Sequence, residues 1–417
     1  PNLKAFCLNG VVFSDRSVSA KYQEVKHVYA PVWITQKGDE IWVKNHHSHL
    51  SLEGFSCQYQ VTKNGAVGQE GELKMPSVQP GDSARLCSLH DFKTYKNTDS
   101  RLNLSVISQQ GVEVGREQIA LSDDLYEAGR KLAADAMKRY KSSRRLATLS
   151  TAKLLARNFS VIPQFFRAPT DNDKSFGNWI AKDWKKTHLD STLSAIPLKD
   201  GEYVYHYGED GASDKAGSSA SAKSGGNIRL RLEVSPQQDG FVDVKATYSF
   251  EGNLPELPRL GLMLELPRVA YDQVKWYGRG PWENYPDRKQ SCPIGWYESS
   301  VENQFTHYPR PQDNGNHEDC SYIELTNKNG KNALQVIAAG DKPLSFSALP
   351  YSVADLYAAR HDFELKQSGN PNLRYTCLSL DCAVLGLGNS SCGPGVLKKY
   401  AIDKTKTYTL HFKMRIL

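Results

Sequence analysis

The residues best suited to chemistry lie in a polar run, Arg167–Asp173 (RAPTDND), which follows the apolar stretch 161–166. Its Asp and Asn side chains offer oxygens that could accept hydrogen bonds from sugar hydroxyls or bind a cation. The same residue types also form Asx-turns that only satisfy backbone groups. The spacing alone slightly favours this structural alternative.

A second run, Trp276–Arg288 (WYGRGPWENYPDR), mixes aromatic side chains with Glu, Asp and Arg after a predicted strand. Aromatic faces stack on the apolar faces of sugar rings, and carboxylates accept hydrogen bonds from sugar hydroxyls. A buried Arg–carboxylate network that fixes a long loop is an equally good interpretation. Phosphate binding is disfavoured, because no helix N-terminus follows the glycines.

Metal and thiol chemistry have weaker support. The run Asn45–His49 (NHHSH) is a predicted hairpin end without a carboxylate pattern nearby, which disfavours a metal site. The turn Asn389–Gly395 (NSSCGPG) is predicted to be a tight turn, because a nucleophilic cysteine needs an adjacent base. The eight cysteines include no Cys-x-x-Cys pair and are predicted to be mostly buried free thiols, although a Cys57–Cys87 disulfide stays open.

Short strands separated by turn signals fill residues 25–121. The signal Asn64-Gly65 is typical of a tight hairpin. Seven strands in about 100 residues favour an immunoglobulin-like sandwich. The predicted strands are 28–35, 40–44, 55–62, 65–74, 83–86, 101–108 and 111–120.

Residues 125–148 have helical apolar spacing and predict one amphipathic helix. Nine basic residues and a single acid lie between Arg130 and Arg157. A solvated helix face or linker is favoured over a nucleic-acid or membrane-surface helix, because no aromatic residues interleave the charges. No apolar run approaches the roughly 20 residues that cross a bilayer.

Strands dominate again from Phe159, without βαβ alternation, and predict a β-sandwich of more than ten strands. The Gly- and Ser-rich residues 211–226 are predicted to form a flexible surface loop. Short helices are predicted at 178–188 and 353–364. The predicted strands are 202–207, 228–235, 242–250, 260–266, 274–278, 322–327, 333–338, 344–348, 376–382 and 407–415.

Several of these runs, in this order, resemble the C-terminal region of the long, lac-type β-galactosidases of glycoside hydrolase family 2. Phe6–Arg16 (FCLNGVVFSDR) resembles the exit from their catalytic barrel, and Glu24–His27 (EVKH) resembles the lead into the following sandwich. The similarity extends through the last domain to the C-terminus. It is carried there by 166–173 (FRAPTDND), 278–288 (GRGPWENYPDR), 312–315 (QDNG) and 385–388 (LGLG) with the Cys392 turn.

The resemblance implies an all-β chain in four parts. An immunoglobulin-like β-sandwich is followed, after a short basic helical connector, by a galactose-mutarotase-like supersandwich. The predicted parts are a barrel-exit segment at 1–24, the immunoglobulin-like sandwich at 25–122, the basic helical linker at 123–158 and the supersandwich at 159–417. The strands that normally open the last domain before the Arg-Ala-Pro motif are not evident, so we expect an incomplete sheet with exposed edge groups.

The implied activity is retaining exo-hydrolysis of terminal β-D-galactosyl linkages by two carboxylates. In the family both are glutamates on the upstream (β/α)₈ barrel, one of them in an Asn-Glu dipeptide, and this sequence contains no Asn-Glu. We therefore expect the chain alone to be inactive and assign no catalytic residue. We also expect no cofactor or metal in this chain, with Mg or Na bound only through upstream residues of the parent enzyme.

The resemblance places a mobile loop near the substrate after Asp173, and a sugar-stacking Trp of some members at Cys392. Replacing that Trp with Cys removes a stacking platform. The partners expected are a β-galactoside together with the upstream barrel, and a homo-oligomer for the parent, without nucleic acid or membrane. The compartment stays open between cytoplasm and periplasm. The predicted substrate-binding residues are Asp171, Asn172, Asp173, Lys174, Ser175 and Cys392.

Two other functions compete with this one. A carbohydrate-binding module without chemistry differs only in what lies upstream of Pro1. A stand-alone aldose epimerase would need a His and a Glu converging on one cleft, such as His307 or His361 with Glu283 or Glu324. Only the shared fold supports the epimerase, so it ranks last.

Overall fold

The computed structural model of this chain describes residues 10–143, 161–174, 180–194, 201–208, 213–216, 225–237, 240–330, 333–365, 374–388 and 395–417. Antiparallel sheets dominate these residues, which confirms the all-β prediction. No helix among them is long and apolar enough to cross a membrane.

The first strands, in chain order, are β1 (Val32–Lys37), β2 (Glu40–Asn45), β3 (Ser56–Lys63), β4 (Ala66–Lys74), β5 (Ser83–Ser88), β6 (Ser100–Ile107), β7 (Glu113–Ser122), β8 (Val161–Gln164), β9 (Gly201–Tyr207), β10 (Ser213–Ala216) and β11 (Gly226–Pro236). The remaining described strands are β12 (Val242–Gly252), β13 (Arg259–Pro267), β14 (Gln273–Arg279), β15 (Ile294–Ser300), β16 (His317–Cys320), β17 (Tyr322–Thr326), β18 (Leu334–Ala338), β19 (Leu344–Leu349), β20 (Tyr375–Val384) and β21 (Tyr408–Ile416).

The described α-helices are α1 (Ala20–Val28), α2 (Leu125–Ser143), α3 (Asp171–Lys174), α4 (Ile180–Lys186), α5 (Val301–Gln304), α6 (Val353–Ala358) and α7 (Asp362–Leu365). Helix α2 confirms the predicted helix as far as Ser143, and the rest of that prediction lies outside the described residues. The chain divides into two compact units, Pro1–Leu132 with Gln290–Gly295 and Ala133–Lys289 with Trp296–Leu417. The predicted boundaries at 24, 122 and 158 remain predictions.

Two antiparallel sheets, in the orders β1-β2-β5 and β4-β3-β6-β7, form the first unit. Strand β6 shows why these residues form a sheet with one buried face. Leu102, Leu104 and Val106 alternate with less buried polar residues, so their side chains line that face. Seven strands in two such sheets are the predicted immunoglobulin-like arrangement. The β3–β4 hairpin turns at Asn64-Gly65, as the sequence predicts, and both residues have positive φ.

The thiols of Cys57 and Cys87 are free and buried in this unit, so the structure does not form the disulfide that the sequence left open. Burial raises the pKa of Cys57 to about 12 and the pKa of Cys87 to about 11. The other described cysteines are also free, and all but Cys382 are fully buried. The prediction of mostly buried free thiols is confirmed for these residues.

The second unit contains a nine-stranded sheet, ordered β10-β9-β11-β12-β21-β18-β17-β14-β15, and a five-stranded sheet, ordered β16-β19-β20-β13-β8. Aromatic pairs join the two sheets: Phe165, just after β8, contacts Tyr205 and Tyr248, and Trp276 contacts Phe346. Nearly every residue of β13 is buried, as expected for a strand covered on both faces.

One local prediction differs from the structure, and one feature was not predicted. Ser213–Ala216 pairs with β9 as strand β10, although the surrounding Gly- and Ser-rich composition predicts only a loop. Residues 290–295 belong to the first unit, where the side chain of Gln118 hydrogen-bonds the backbone of Ile294 in both directions at 2.8 Å. Strand β10 forms by pairing with the neighbouring strand β9, whereas residues 290–295 depend on a contact with Gln118, 176 positions away in the sequence from Ile294. Local composition encodes neither contact.

Candidate functional site

Arg167 is the centre of a buried polar cluster just after β8. Its guanidinium donates from Nε (3.1 Å) and Nη2 (2.8 Å) to the two carboxylate oxygens of Asp173, and neither side chain is appreciably exposed. Burial opposes the charge of Arg167, but Asp173 outweighs this effect and raises the pKa of Arg167 above its usual value. This two-point pairing fixes the geometry of the loop.

Asp173 also shapes the short helix α3. The backbone N–H of Thr170 donates to Asp173 Oδ2 at 2.8 Å, and the N–H of Asp173 donates to Thr170 Oγ1 at 3.2 Å. This reciprocal bonding explains the Thr-x-x-Asp spacing of the run. Because Asp173 is buried and both of its oxygens accept hydrogen bonds, its role is to hold the loop.

The same loop holds residues 385–388 in place. Arg167 Nη1 donates to the carbonyl of Leu385 at 2.8 Å, and Nη2 donates to the carbonyl of Gly386 at 3.2 Å. The amide of Asn172 donates to the carbonyls of Leu387 (3.3 Å) and Gly388 (2.7 Å). Four consecutive carbonyls that follow β20 are therefore fixed by two side chains of the Arg-Ala-Pro run.

Asp287, from the Trp276–Arg288 run, completes this arrangement. Its carboxylate accepts hydrogen bonds from the N–H groups of Leu387 (2.9 Å) and Gly388 (2.7 Å). A Cβ atom on Gly386 would lie 2.7 Å from Asp287 Cγ, so this approach requires glycine. The structure thus brings together three runs that are separated by about a hundred residues each.

A second buried Arg–Asp cluster adjoins the first. Arg259 Nη2 donates to Asp381 Oδ2 at 3.0 Å, and its Nη1 lies 3.6 Å from Asp313 Oδ1. Tyr285 Oη donates to Asp313 Oδ2 at 2.9 Å. Burial raises the pKa of Asp381 to about 7, although Arg259 acts to lower it. Burial likewise raises the pKa of Asp313.

The sequence reasoning missed Arg259 and Asp381. Each is a charged residue in a predicted apolar strand, Arg259 beside LGLML and Asp381 between Leu380 and Cys382. A charge in a buried strand needs a partner, and this signal could have identified the pair.

The exposed part of the cluster is formed by Asp171. Its N–H donates to Gln312 Oε1 at 3.0 Å, and Gln312 Nε2 donates back to Asp171 Oδ2 at 3.2 Å. Arg310 Nη1 lies 3.8 Å from Asp171 Oδ1, and the Asp171 side chain is 37% exposed. Burial, with Arg310 nearby, lowers the pKa of Lys174. Of the predicted sugar-binding residues, Ser175 and Cys392 lie outside the described part of the chain.

Glu283 resolves the two interpretations of the Trp276–Arg288 run. Its carboxylate accepts hydrogen bonds from Arg288 Nη2 (2.9 Å), Tyr308 Oη (2.9 Å) and the N–H of Gly315 (2.7 Å). Burial acts to raise the pKa of Glu283, but Arg288 and these donors lower it. Glu283 therefore belongs to a buried Arg–carboxylate network, the structural alternative.

The histidines proposed for an epimerase have other partners. The Nδ1 atom of His307 lies 2.9 Å from a carboxylate oxygen of Asp362, and His361 stacks on Phe363. The carboxylate of Glu324 hydrogen-bonds Tyr322 and Gln335. No described His–Glu pair of the predicted kind is hydrogen-bonded.

The His-rich hairpin end also has a structural explanation. The amide of Asn45 donates to the carbonyls of Leu50 and Val78. The described residues contain no group of three or more His, Cys, Asp or Glu that could hold a metal ion.

In its described part, the chain consists of two units built mainly of antiparallel sheets, and the larger unit contains the Arg167–Asp173 and Trp276–Arg288 runs. The chain belongs to the family described as beta galactosidase small chain, whose model matches residues 137–414. A second model, described as beta-galactosidase, domain 4, matches residues 41–122. These matches confirm the resemblance inferred from the sequence.

Two curated relatives illustrate the similarity. A β-galactosidase of Priestia megaterium is 25% identical over 452 residues, covering 100% of this chain and 42% of that protein. A β-galactosidase of Lactobacillus delbrueckii subsp. bulgaricus is 27% identical over 442 residues, covering 99% of this chain and 41% of that protein. The chain thus spans about 42% of the length of such relatives.

Among solved structures, the match to the exo-chitosanase CsxA of Amycolatopsis orientalis covers 65% of this chain and 23% of the CsxA chain, at 9% identity and a TM-score of 0.21. So low a score carries no argument about this chain.

Proposed function

We propose that this chain is the C-terminal portion of a retaining β-galactosidase that hydrolyses terminal β-D-galactosyl linkages, and that it contributes structure and active-site-wall loops rather than catalytic groups. The family membership and the β-galactosidase relatives support this proposal. Homo-oligomerisation of the parent, and Mg or Na bound through its upstream residues, belong to the same proposal.

The observation that carries the proposal is the set of hydrogen bonds that attach residues 385–388 to the two other runs. Arg167 and Asn172 bind the four carbonyls of 385–388, and Asp287 binds two N–H groups of the same segment. This network fixes the ends of the two segments that lead into Ser175 and Cys392. Such fixed ends suit loops that shape a sugar site, because a positioning error of about 1 Å is costly in catalysis.

The carboxylates of the motifs support a non-catalytic role. A retaining glycosidase needs two carboxyl groups about 5 Å apart, one acting as nucleophile and the other as acid and base. Asp173 and Glu283 are buried and bound to Arg167 and Arg288. Despite burial, Arg288 holds the pKa of Glu283 below its usual value, so this carboxylate has no proton to donate, and both oxygens of Asp173 are occupied by hydrogen bonds from Arg167. The sequence also lacks the Asn-Glu dipeptide of the family's acid/base.

The test compares hydrolysis of o-nitrophenyl β-D-galactoside by this chain and by the same chain extended upstream in its own gene. We expect turnover only from the extended polypeptide. Turnover by this chain alone would overturn the proposal. Galactose binding by both polypeptides without turnover by either would favour the carbohydrate-binding module instead.

Two variants of the extended polypeptide examine the wall loops. Asp171→Asn removes a charge from the exposed carboxylate, and Cys392→Trp restores the aromatic residue of some family members. If these loops contact substrate, Asp171→Asn raises KM and Cys392→Trp lowers it. The exposed ion pair of Arg229 with Glu251 supplies the matched control, Glu251→Gln, which should leave KM unchanged.

A further inference from the structure

An apolar surface lies near the start of the described chain. Of the seventeen large apolar side chains exposed in the described residues, seven lie between Val11 and Tyr29. We name them the N-terminal apolar face: Val11, Val12, Val18, Tyr22, Val25, Val28 and Tyr29. Single exposed apolar residues are ordinary, but a concentration of them marks an interaction site.

Helix α1 presents this face because its amphipathic pattern is inverted. None of its nine residues is buried. Its half-buried positions are Ala20, Gln23, Glu24 and His27, whereas Tyr22, Val25, Val28 and the following Tyr29 are exposed. At 3.6 residues per turn these are two opposite sides of the helix. A helix of a protein in water normally buries its apolar side.

Polar contacts hold the helix in this orientation. The carboxylate of Glu24 accepts hydrogen bonds from the backbone N–H groups of Gln290 (3.2 Å) and Ser291 (3.0 Å). Lys26 pairs with Glu113 at 3.1 Å. All of these residues belong to the first unit. The helix is therefore attached by its polar side, which leaves its apolar side outward.

The exposed valines before the helix are also fixed. Val12 and Val18 form an antiparallel β-bridge. The N–H of Ser19 donates to the carbonyl of Val11 at 3.4 Å, and the Ser19 hydroxyl donates to the same carbonyl at 2.6 Å. The face therefore combines a helix side and a small hairpin, both held by hydrogen bonds in an apolar-outward arrangement.

We propose that the N-terminal apolar face is the docking surface for the portion of a longer β-galactosidase polypeptide that this chain does not include. This inference rests on the proposed function. Every one of the seven residues precedes the match to domain 4, which begins at residue 41, and that name implies earlier domains in the relatives. The Priestia megaterium relative has 58% of its length (100% minus 42%) outside the match. Two tyrosines among the seven suit a protein interface, where aromatic residues are enriched.

The test is the double variant Val25→Lys and Tyr29→Lys, made both in this chain and in the polypeptide extended upstream. In this chain the thermal midpoint should stay within about 2 °C or rise. Lysine has a higher helix propensity than valine, and its positive charge is stabilising near the C-terminus of a helix. In the extended polypeptide the midpoint should fall by roughly 5 °C, because the lysines are then buried against the partner.

Hydrogen exchange supplies a second readout on the unmodified proteins. Amides of residues 20–29 should exchange at least about tenfold more slowly in the extended polypeptide than in this chain, since docking suppresses local opening. For the thermal-midpoint measurement the matched control is Val269→Lys, because Val269 is 90% exposed and lies in the other unit. It should leave the midpoint unchanged in both polypeptides.

Equal midpoint shifts in the two polypeptides, or equal exchange at residues 20–29, would overturn the docking surface. A concentration-dependent dimer of this chain that the double lysine variant dissociates would assign the face to a second copy and also overturn it. Neither readout uses hydrolysis. A protected face in an inactive extended polypeptide would refute only the proposed activity, and an unprotected face in an active one would refute only the docking.

Discussion

Two buried arginine–aspartate pairs lie side by side in the second unit, and they differ in how completely they are satisfied. Arg167 and Asp173 share two hydrogen bonds, and Arg167 also binds two carbonyls. Arg259 and Asp381 share only one hydrogen bond between the described atoms. Arg259 Nε and Asp381 Oδ1 are buried without a hydrogen-bond partner among the described residues.

The difference shows that burial alone does not decide what an ion pair does. A fully bonded pair recovers the cost of removing two charges from water, whereas a partly bonded pair does not. The combined cluster holds three carboxylates, Asp173, Asp313 and Asp381, for the two guanidiniums of Arg167 and Arg259, all of them buried. The third negative charge is relieved when Asp381 takes a proton.

The largest expected effect comes from breaking the fully bonded pair. Arg167→Met should lower the free energy of unfolding by about 3–5 kcal/mol, because Asp173 would stay buried without its counter-charge. Urea unfolding of this chain measures the change. Arg229→Met, at an exposed pair with Glu251, is the control and should cost at most about 1 kcal/mol. Similar losses for both variants would contradict the distinction between the pairs.

The partly bonded pair should respond to pH. The pKa of Asp381 rises from 3.8 in the unfolded chain to about 7 in the fold, chiefly because the carboxyl is buried. Between these two values the folded chain holds a proton that the unfolded chain lacks. This group therefore makes stability fall as pH rises from about 4 to about 7, by up to roughly 1.4 kcal/mol per pH unit, with no further change above pH 7.

Asp381→Asn isolates this effect, because the amide keeps an oxygen for Arg259 and carries no charge. The difference in unfolding free energy between variant and wild type should shift in favour of the variant as pH rises from 4 to 7, and should then stay constant. Asp243→Asn, at a more exposed carboxylate beside His411, is the comparison variant. A pH-independent difference for Asp381→Asn would mean that Asp381 stays ionised throughout.

The smallest effect is expected at the edge of the fully bonded cluster. Asn172→Ala removes two hydrogen bonds to the carbonyls of Leu387 and Gly388, and we expect a loss of about 1–2 kcal/mol. Hydrogen exchange of residues 385–388 should rise in the same variant. Gln237→Ala removes only an exposed local contact with Ser235 and should change neither quantity. An unchanged exchange rate at 385–388 would show that Arg167 and Asp287 suffice to hold the segment.

Local signals in the sequence predicted local structure well. The Asn64-Gly65 turn and helix α2 depend on neighbouring residues, and both are found. The family motifs identified the three runs that meet at residues 385–388. Their hydrogen-bond roles were not predictable, because Asp173 and Asn172 are chemically able either to bind a ligand or to hold a loop. The Arg259–Asp381 pair was missed, since its two strands are 122 positions apart in the sequence.

Strand β21 sets the order in which this fold can be completed during synthesis. It lies between β12 and β18 inside the nine-stranded sheet, not at its margin. The sheet therefore stays divided into two separate groups of strands until the ribosome has released residues 408–416. Nascent chains that end earlier expose two unpaired strand edges, which is a template for aggregation. Completion of the nine-stranded sheet therefore waits for strand β21, and loss of this strand removes the middle of the sheet.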